Sequence, residues 1–443
     1  MGTIAERSSP ASEPREVVLA SGLRLLLVPQ PALHRAVAAL FLRVGSRFES
    51  ARDNGLSHFL EHMVFRGTAS LPSAHDQALA FERLGGTLYA ATHVDHGVMS
   101  VSVPPANLEA SLALLGEVTV APRFTEVEIE RGIVREEILE DVDDDGRQID
   151  ADNLVRALMY DDHPLGFTIT GDAAGLDDFD EARLRGHHQR HYTAENAVLC
   201  LAGRLGDGTP DAVAERWRAA AERCFAAMPR GRRIEATPPP GGQGEPRVAV
   251  VENQGSQTDL RLAFRAVGEL DRREAAVDML LRVLDDGMST RLYERVCDRR
   301  GLCYDISAMY EAYEDDGVVD VAAGVAHDRA HLVVAEVLDL LRELRDKGPR
   351  EDELQKARDR HLWSAQSMLD DAESTAGFHG LAAFAGTTRT PEARHQELCA
   401  VTAADVREAA EHVFQPRNLS VVAVGLLRAS QRAKLKKLVR EFE

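Results

Sequence analysis

GLSHFLEHMVFRGT, residues Gly55 to Thr68, carries two histidines four positions apart, His58 and His62, with Glu61 between them. The apolar positions Leu56, Phe59, Leu60 and Met63 recur at helical spacing and supply a face by which the helix can be buried. On that helix His58 and His62 project from one side, one turn apart, as two ligands of a single ion must, and Glu61 shares their side. Imidazole and carboxylate donors suit Zn²⁺, whose catalytic sites have three protein ligands and one position open to water. A third ligand is therefore required. The best supplier is the acidic segment TEVEIERGIVREEILED, 125 to 141, with Glu130, Glu136 and Glu137. Glu130 and Glu137 lie two helical turns apart on one face, so one can bind metal while the other hydrogen-bonds a ligand histidine. Glu136 points elsewhere.

Working outward, EVVLASGLRLLLV (16 to 28) predicts two short strands around Ser21 and Gly22, and AVAALFLRVGS (36 to 46) a further strand. ATPPPGGQGEPR, 236 to 247, is too rich in proline and glycine for helix or interior strand and divides the chain near its middle. The halves resemble each other. NAVLCLAG at 196 to 203 is echoed by NLSVVAVG at 418 to 425, Asn418 falling 222 residues after Asn196. LFLRVGS at 40 to 46 matches LAFRAVG at 262 to 268 at the same displacement, and Glu128 pairs with Glu353 at 225. The expected fold is α+β, with two homologous domains, each a mainly antiparallel sheet covered by helices. The expected boundaries are a flexible tail 1–15, a first domain 16–235, a linker 236–247 and a second domain 248–443. Laying Gly67 on Gly287 puts Asp278, Leu281 and Arg282 opposite His58, Glu61 and His62, and Leu362 falls opposite Glu137. One zinc ion per chain is expected, because the second half lacks the ligands.

A formal net charge of -20 excludes a generally basic, nucleic-acid-binding surface. No run approaches the ~18 apolar residues of a membrane span. MGTIAERSSPASEPRE lacks the basic start and apolar stretch of a secretory signal, so the expected compartment is the cytoplasm. Five cysteines without a C-x-x-C pattern predict free thiols.

H-F-L-E-H at 58 to 62 is the inverted zincin arrangement H-x-x-E-H, and its surroundings resemble the M16 peptidases, the family of pitrilysin, insulin-degrading enzyme and mitochondrial processing peptidase. The resemblance runs through GSRFES (45 to 50), LGGTLYAAT (84 to 92), ERGIVREE (130 to 137), HPLG (163 to 166), HYTAENAVLCLAG (191 to 203) and GMSTRLYERVCDRRGLCYDI (287 to 306). It implies a zinc endopeptidase acting on peptides or unfolded polypeptide held against a sheet edge. His58, His62 and Glu137 would bind zinc, Glu137 being the last position of E-R-x-x-V-x-x-E, 75 residues beyond His62. Glu61 would be the general base that activates water, Glu130 the supporting acid, and Tyr304 the second-domain tyrosine near the substrate carbonyl. The chain departs from the family pattern at Cys297, where many relatives have arginine; Arg295 and Arg299 are the candidate replacements. Tyr89, beside Ala90, stands where relatives often have an asparagine that touches substrate backbone. Short chains of this family pair into four-domain assemblies, so the resemblance implies a homodimer or a heterodimer with a zinc-free M16 subunit. Its alternatives are a catalytic subunit active only with such a partner, and a non-catalytic assembly subunit.

Two other features invite metal readings, and a third group of histidines needs placing. DVDDDGRQIDAD, Asp141 to Asp152, has acids at positions one, three and five and Gly146 at six, but Asp152 replaces the glutamate a calcium loop needs, which favours a solvated helix end. His75, His93, Asp95 and His96 are expected in surface or packing roles. His187, His188 and His191, on a polar helix, are expected to face solvent.

Overall fold

In β3 (Ala36–Leu42) every residue is buried, and the reason is a sheet covered on both faces. Ala36, Ala38, Leu40 and Leu42 join one core, and Val37, Ala39 and Phe41 join another on the opposite face. The computed structural model describes residues 13–387 and 389–443. Residues 1–12 of the expected tail lie outside them, while Arg15, also assigned to that tail, opens the first strand. With β1 (Arg15–Val18), β2 (Arg24–Pro29), β4 (Leu88–Thr92), β5 (Gly97–Val103) and β6 (Ala197–Gly203), β3 forms a sheet ordered β1-β2-β6-β3-β5-β4. β7 (Arg247–Val251), β8 (Thr258–Ala266), β9 (Cys303–Ala312), β10 (Gly317–Val325) and β11 (Leu419–Val424) form a second, ordered β7-β11-β8-β10-β9. Apart from β1, the two follow one path. Only β2 with β6 and β7 with β11 run parallel, so both sheets are mainly antiparallel and the internal repeat is a repeat of topology. No helix among the described residues is long and apolar enough to cross a membrane.

The compact units do not follow the linear boundaries 16–235 and 248–443. The first comprises residues through Ile138, Thr168–Thr237 and Ser364–Pro391; the second comprises Leu139–Phe167, Pro238–Trp363 and Glu392–Glu443. The physical cause is the otherwise open back of each sheet. In the first unit it is covered by the helix Ala372–Phe384, lying on β6, β3 and β2, and in the second by the helix Ala151–Tyr160, lying on β8, β11 and β7. Each covering helix comes from the other half of the sequence, a relation that local spacing cannot express.

The first of these helices approaches β3 closely. A Cβ at Gly380 would stand 2.1 Å from the Phe41 ring, whereas Gly377 has nothing within 4 Å. Gly380→Ala should therefore destabilise the fold by about 1–3 kcal/mol despite alanine's better helix propensity, while Gly377→Ala should be neutral or stabilising. Urea denaturation of both variants checks this; equal stability of Gly380→Ala and wild type would contradict the close packing.

Candidate metal centre

The helix Leu56–Met63 buries Leu56, Phe59, Leu60 and Met63 in the first core, which also holds the strand side chains Leu40, Leu42, Met99 and Val101. At ~1.5–3 kcal/mol for each fully buried apolar side chain, that face determines how the helix is rotated. The remaining face presents His58, Glu61 and His62 together. The second acidic helix, Val127–Glu140, buries Val134 and Ile138 in the same core and turns Glu130 and Glu137 towards the histidines, leaving Glu136 exposed.

Glu137 spans both rings. Its Oε1 lies 3.4 Å from His58 Nε2 and its Oε2 lies 3.4 Å from His62 Nε2. Donors ~2.0–2.1 Å from a tetrahedral zinc stand roughly 3.3 Å apart, so the spacing fits an ion held among them. Among the described residues, His58, His62 and Glu137 are the one group of three such side chains whose donor atoms all lie within 4.8 Å of one another. The ring centroids are 4.7 Å apart and inclined by 71°.

Glu130 takes the supporting place. Its Oε2 is 3.2 Å from His62 Nδ1, and Arg66 binds its other oxygen and also reaches Glu126 at 3.3 Å. Burial raises the Glu130 pKa, but the bond from His62 and the Arg66 charge outweigh it and hold the carboxyl below its ordinary value. An ionised carboxylate only accepts, so His62 donates from Nδ1 and keeps Nε2 for a metal. Burial disfavours the protonated His62 ring, yet the Glu130 hydrogen bond and the charges of Glu130, Glu137 and Glu61 hold its pKa above the usual value. The Glu137 carboxyl is lowered, chiefly by its bond with His58. Buried His58 Nδ1 has no hydrogen-bond partner, so this ring is fixed at Nε2 and by packing. Half-buried Glu61 adds its charge to burial in raising the pKa of Tyr192.

Three residues in this centre escaped sequence reasoning. Arg66, at i+4 from His62, had the charge to pair with Glu126 and Glu130 as its only signal. Glu49, within the quoted GSRFES, accepts from the amides of Gly55 and Ser57. His187 lies 3.0 Å from Ser57 Oγ. The expectation that His187, His188 and His191 face solvent is wrong. His187 and His191 are buried 4.2 Å apart, His191 Nδ1 meets Arg43 O at 2.9 Å, and His188 Nε2 meets Thr119 O at 2.7 Å. Burial lowers all three pKa values, that of His191 to about 4. Neutral imidazoles with backbone or hydroxyl partners are tolerated inside, which is why polar composition misled.

The other candidates fall elsewhere. Tyr89 and Ala90 lie on β4, the terminal strand of the first sheet, against which the helix Leu56–Met63 packs; Tyr89 is exposed. In the second unit Tyr304 lies on β9, also a terminal strand, and is 93% exposed. Arg295 is committed to Glu336 at 2.7 Å and Glu343 at 2.9 Å, whereas exposed Arg299, among the described residues, pairs with Glu294 alone. Cys297 Sγ stands 3.7 Å from Cys303 Sγ. Where the repeat would place a second metal site, Arg282 holds Asp278 at 2.9 Å and Arg394 holds Asp278 at 2.8 Å and Glu274 at 2.6 Å. In the acidic loop Asp143 accepts from the amides of Asp145 and Arg147, and Asp152 pairs with Arg261. His75 is exposed, while His93 and His96 stack 4.4 Å apart with Asp95 2.9 Å from His96.

Residues 24–173 match the family model of insulinase, peptidase family M16, and residues 178–360 match that of the peptidase M16 inactive domain. Uncharacterised zinc proteases of Mycobacterium tuberculosis and Mycobacterium bovis are 31% identical over 422 residues, 93% of this chain and 94% of theirs. One from Bacillus subtilis is 28% identical over 364 residues, 81% of this chain and 85% of its own. Among solved structures, an M16 peptidase inactive domain from Pseudomonas fluorescens superposes with a TM-score of 0.84 at 22% identity, covering 94% of this chain and 98% of that one. A Helicobacter pylori protease gives 0.82 at 21% identity, covering 94% and 100%. With two M16 family models matching successive stretches of the chain, and relatives matching nearly end to end, this chain belongs to the M16 family of peptidases.

Proposed function

We propose that the chain is a zinc-dependent endopeptidase that hydrolyses peptides or unfolded protein segments. The observation that carries this reading is the convergence of His58 Nε2, His62 Nε2 and the two Glu137 oxygens at 3.4 Å. A zinc ion held by these residues supplies Lewis-acid chemistry, acidifying water and polarising a carbonyl. Glu61, on the same face of the helix, takes the proton of the attacking water and returns it to the departing amine. Glu130 and Arg66 orient His62 and balance its charge. The free edge of β4 offers backbone donors and acceptors to an extended peptide, with Tyr89 and Ala90 alongside, so main-chain hydrogen bonds provide affinity with little demand on sequence. A second reading, activity only in a heterodimer with a zinc-free M16 subunit, is favoured by the thiol of Cys297 at a position where many relatives carry arginine; Arg299 is the freer of its two neighbouring arginines. In the first reading the chain is active alone or as a homodimer in the cytoplasm.

Glu61→Gln should retain zinc and lose hydrolysis by about 10²–10⁴-fold. Peptide cleavage and metal content measured side by side test this, and equal activity in variant and wild type would end the mechanism. Tyr304→Phe should lower kcat by about 10–10²-fold, and an unchanged kcat would remove that residue from the reaction.

The His62 shift sets a pH dependence. In the metal-free chain its raised pKa stabilises the fold fully below the unfolded value of ~6.5, and that contribution fades as pH rises through the higher folded value. Zinc requires the neutral ring, so apparent zinc affinity should weaken as pH drops through the same raised value. Competition with a chromophoric chelator between about pH 8 and 6 measures it; affinity independent of pH would count against His62 as a ligand.

A further inference from the structure

The ligand helix begins at Gly55, whose φ of 91° is left-handed and which has no side chain to cap the first turn. A Cβ there would meet Thr170 O at 2.6 Å, so a conventional serine, threonine or aspartate cap is excluded by space. The helix has eight residues, a length that does not persist alone in water. Its leading amides are satisfied from outside. Glu49, 5% exposed, accepts from Gly55 N at 2.9 Å through Oε2 and from Ser57 N at 2.7 Å through Oε1. Asn54 Nδ2 adds a third bond to Oε2 at 3.1 Å and is itself tied to Thr168 O at 2.7 Å. Ser57, immediately before His58, is held a second time, its Oγ accepting from Gly45 N at 3.2 Å and facing His187 Nε2 at 3.0 Å.

We propose that Glu49 is a positioning residue for the metal centre: its buried carboxylate clamps the Gly55 and Ser57 amides and thereby fixes the rotation and axial position of the helix that presents His58, Glu61 and His62. The core packing of Leu56, Phe59, Leu60 and Met63 holds the helix against the sheet, but an apolar face tolerates small rotations. Three directional bonds at the first turn do not. A negative group at a helix N-terminus is favoured by the macrodipole as well, and that gain offsets part of the cost of burying it. Loss of the clamp should be felt first at His58, one residue from the clamped amide.

The inference rests on the metal-centre reading, and its test separates the two. Full-length wild type, Glu49→Gln, Glu49→Asp and Trp217→Phe are compared, the last losing a buried hydrogen bond to Leu205 O in the same unit far along the sequence from the clamp. Glu49→Gln keeps the shape but turns one acceptor into a donor facing an amide N–H. The readouts are thermal stability, Zn²⁺ affinity by chelator competition, the visible spectrum with Co²⁺ in place of zinc, and kcat and KM for a peptide. Expected for Glu49→Gln is a metal affinity weakened by about 10–100-fold, an altered Co²⁺ spectrum, and kcat reduced more than KM is changed. Glu49→Asp should fall between Glu49→Gln and wild type. Trp217→Phe should lose stability with wild-type Co²⁺ spectrum and affinity. Glu49→Gln with wild-type metal affinity and Co²⁺ spectrum, or a change no larger than in an equally destabilised Trp217→Phe, overturns the proposal. Absence of peptide cleavage by wild type would overturn the endopeptidase reading while the metal readouts still decide the role of Glu49.

Discussion

Carboxylates crowd the candidate metal centre, and the arrangement around them depends on compensating that charge. Glu130 and Glu137 are brought by one helix beside Glu61 on another, and Glu126 stands at the margin. Like charges at such range repel, and partial burial strengthens the repulsion. Arg66 answers part of it by binding Glu130 and Glu126. His62 answers another part through its raised proton affinity. A divalent cation between the rings and Glu137 would complete the balance, and the 3.4 Å donor separations leave the room it needs. Metal binding and charge balance are in this sense one problem, solved by the same residues.

The same problem is handled differently in the repeated half. The corresponding positions carry Asp278, Leu281 and Arg282, and guanidinium groups occupy the place that charge compensation requires, with Arg394 bridging Asp278 and Glu274. Burial disfavours the charged Arg394 guanidinium, but its bonds to Glu274 and Glu397 and the nearby charge of Asp278 outweigh that cost and shift its pKa upward. A network of permanent cations satisfies its carboxylates without leaving an open coordination position. The second sheet shares the strand order of the first apart from β1, while the positions equivalent to the two histidines are engaged in ion pairs.

Much of this was legible from residue spacing. The four-residue interval between His58 and His62 and the seven-residue interval between Glu130 and Glu137 both express helical geometry, so each pair had to share a face. The 222-residue displacement likewise announced two similar sheets, because equivalent strands demand equivalent apolar patterns. Polar helices were less legible. The helix Glu181–His191 looks solvated by composition, yet buries His187 and His191, because neutral imidazoles accept interior hydrogen bonds as readily as water's. Glu49 was invisible for a related reason: a capping partner six residues upstream, outside any helix, leaves no periodic trace.

The principal elements, their duplication and the two helices that carry the candidate donors could be read from the chain alone, since these follow from local periodicity and side-chain chemistry. Two things came only with the folded chain: which carboxylate clamps the first turn, and which helix covers the back of each sheet. The first joins Glu49 to Gly55 and Ser57, close in sequence but without a periodic trace, and the second joins segments far apart in the chain. They are set by how apolar faces pack and by where buried polar groups find partners, and both depend on the whole chain being folded.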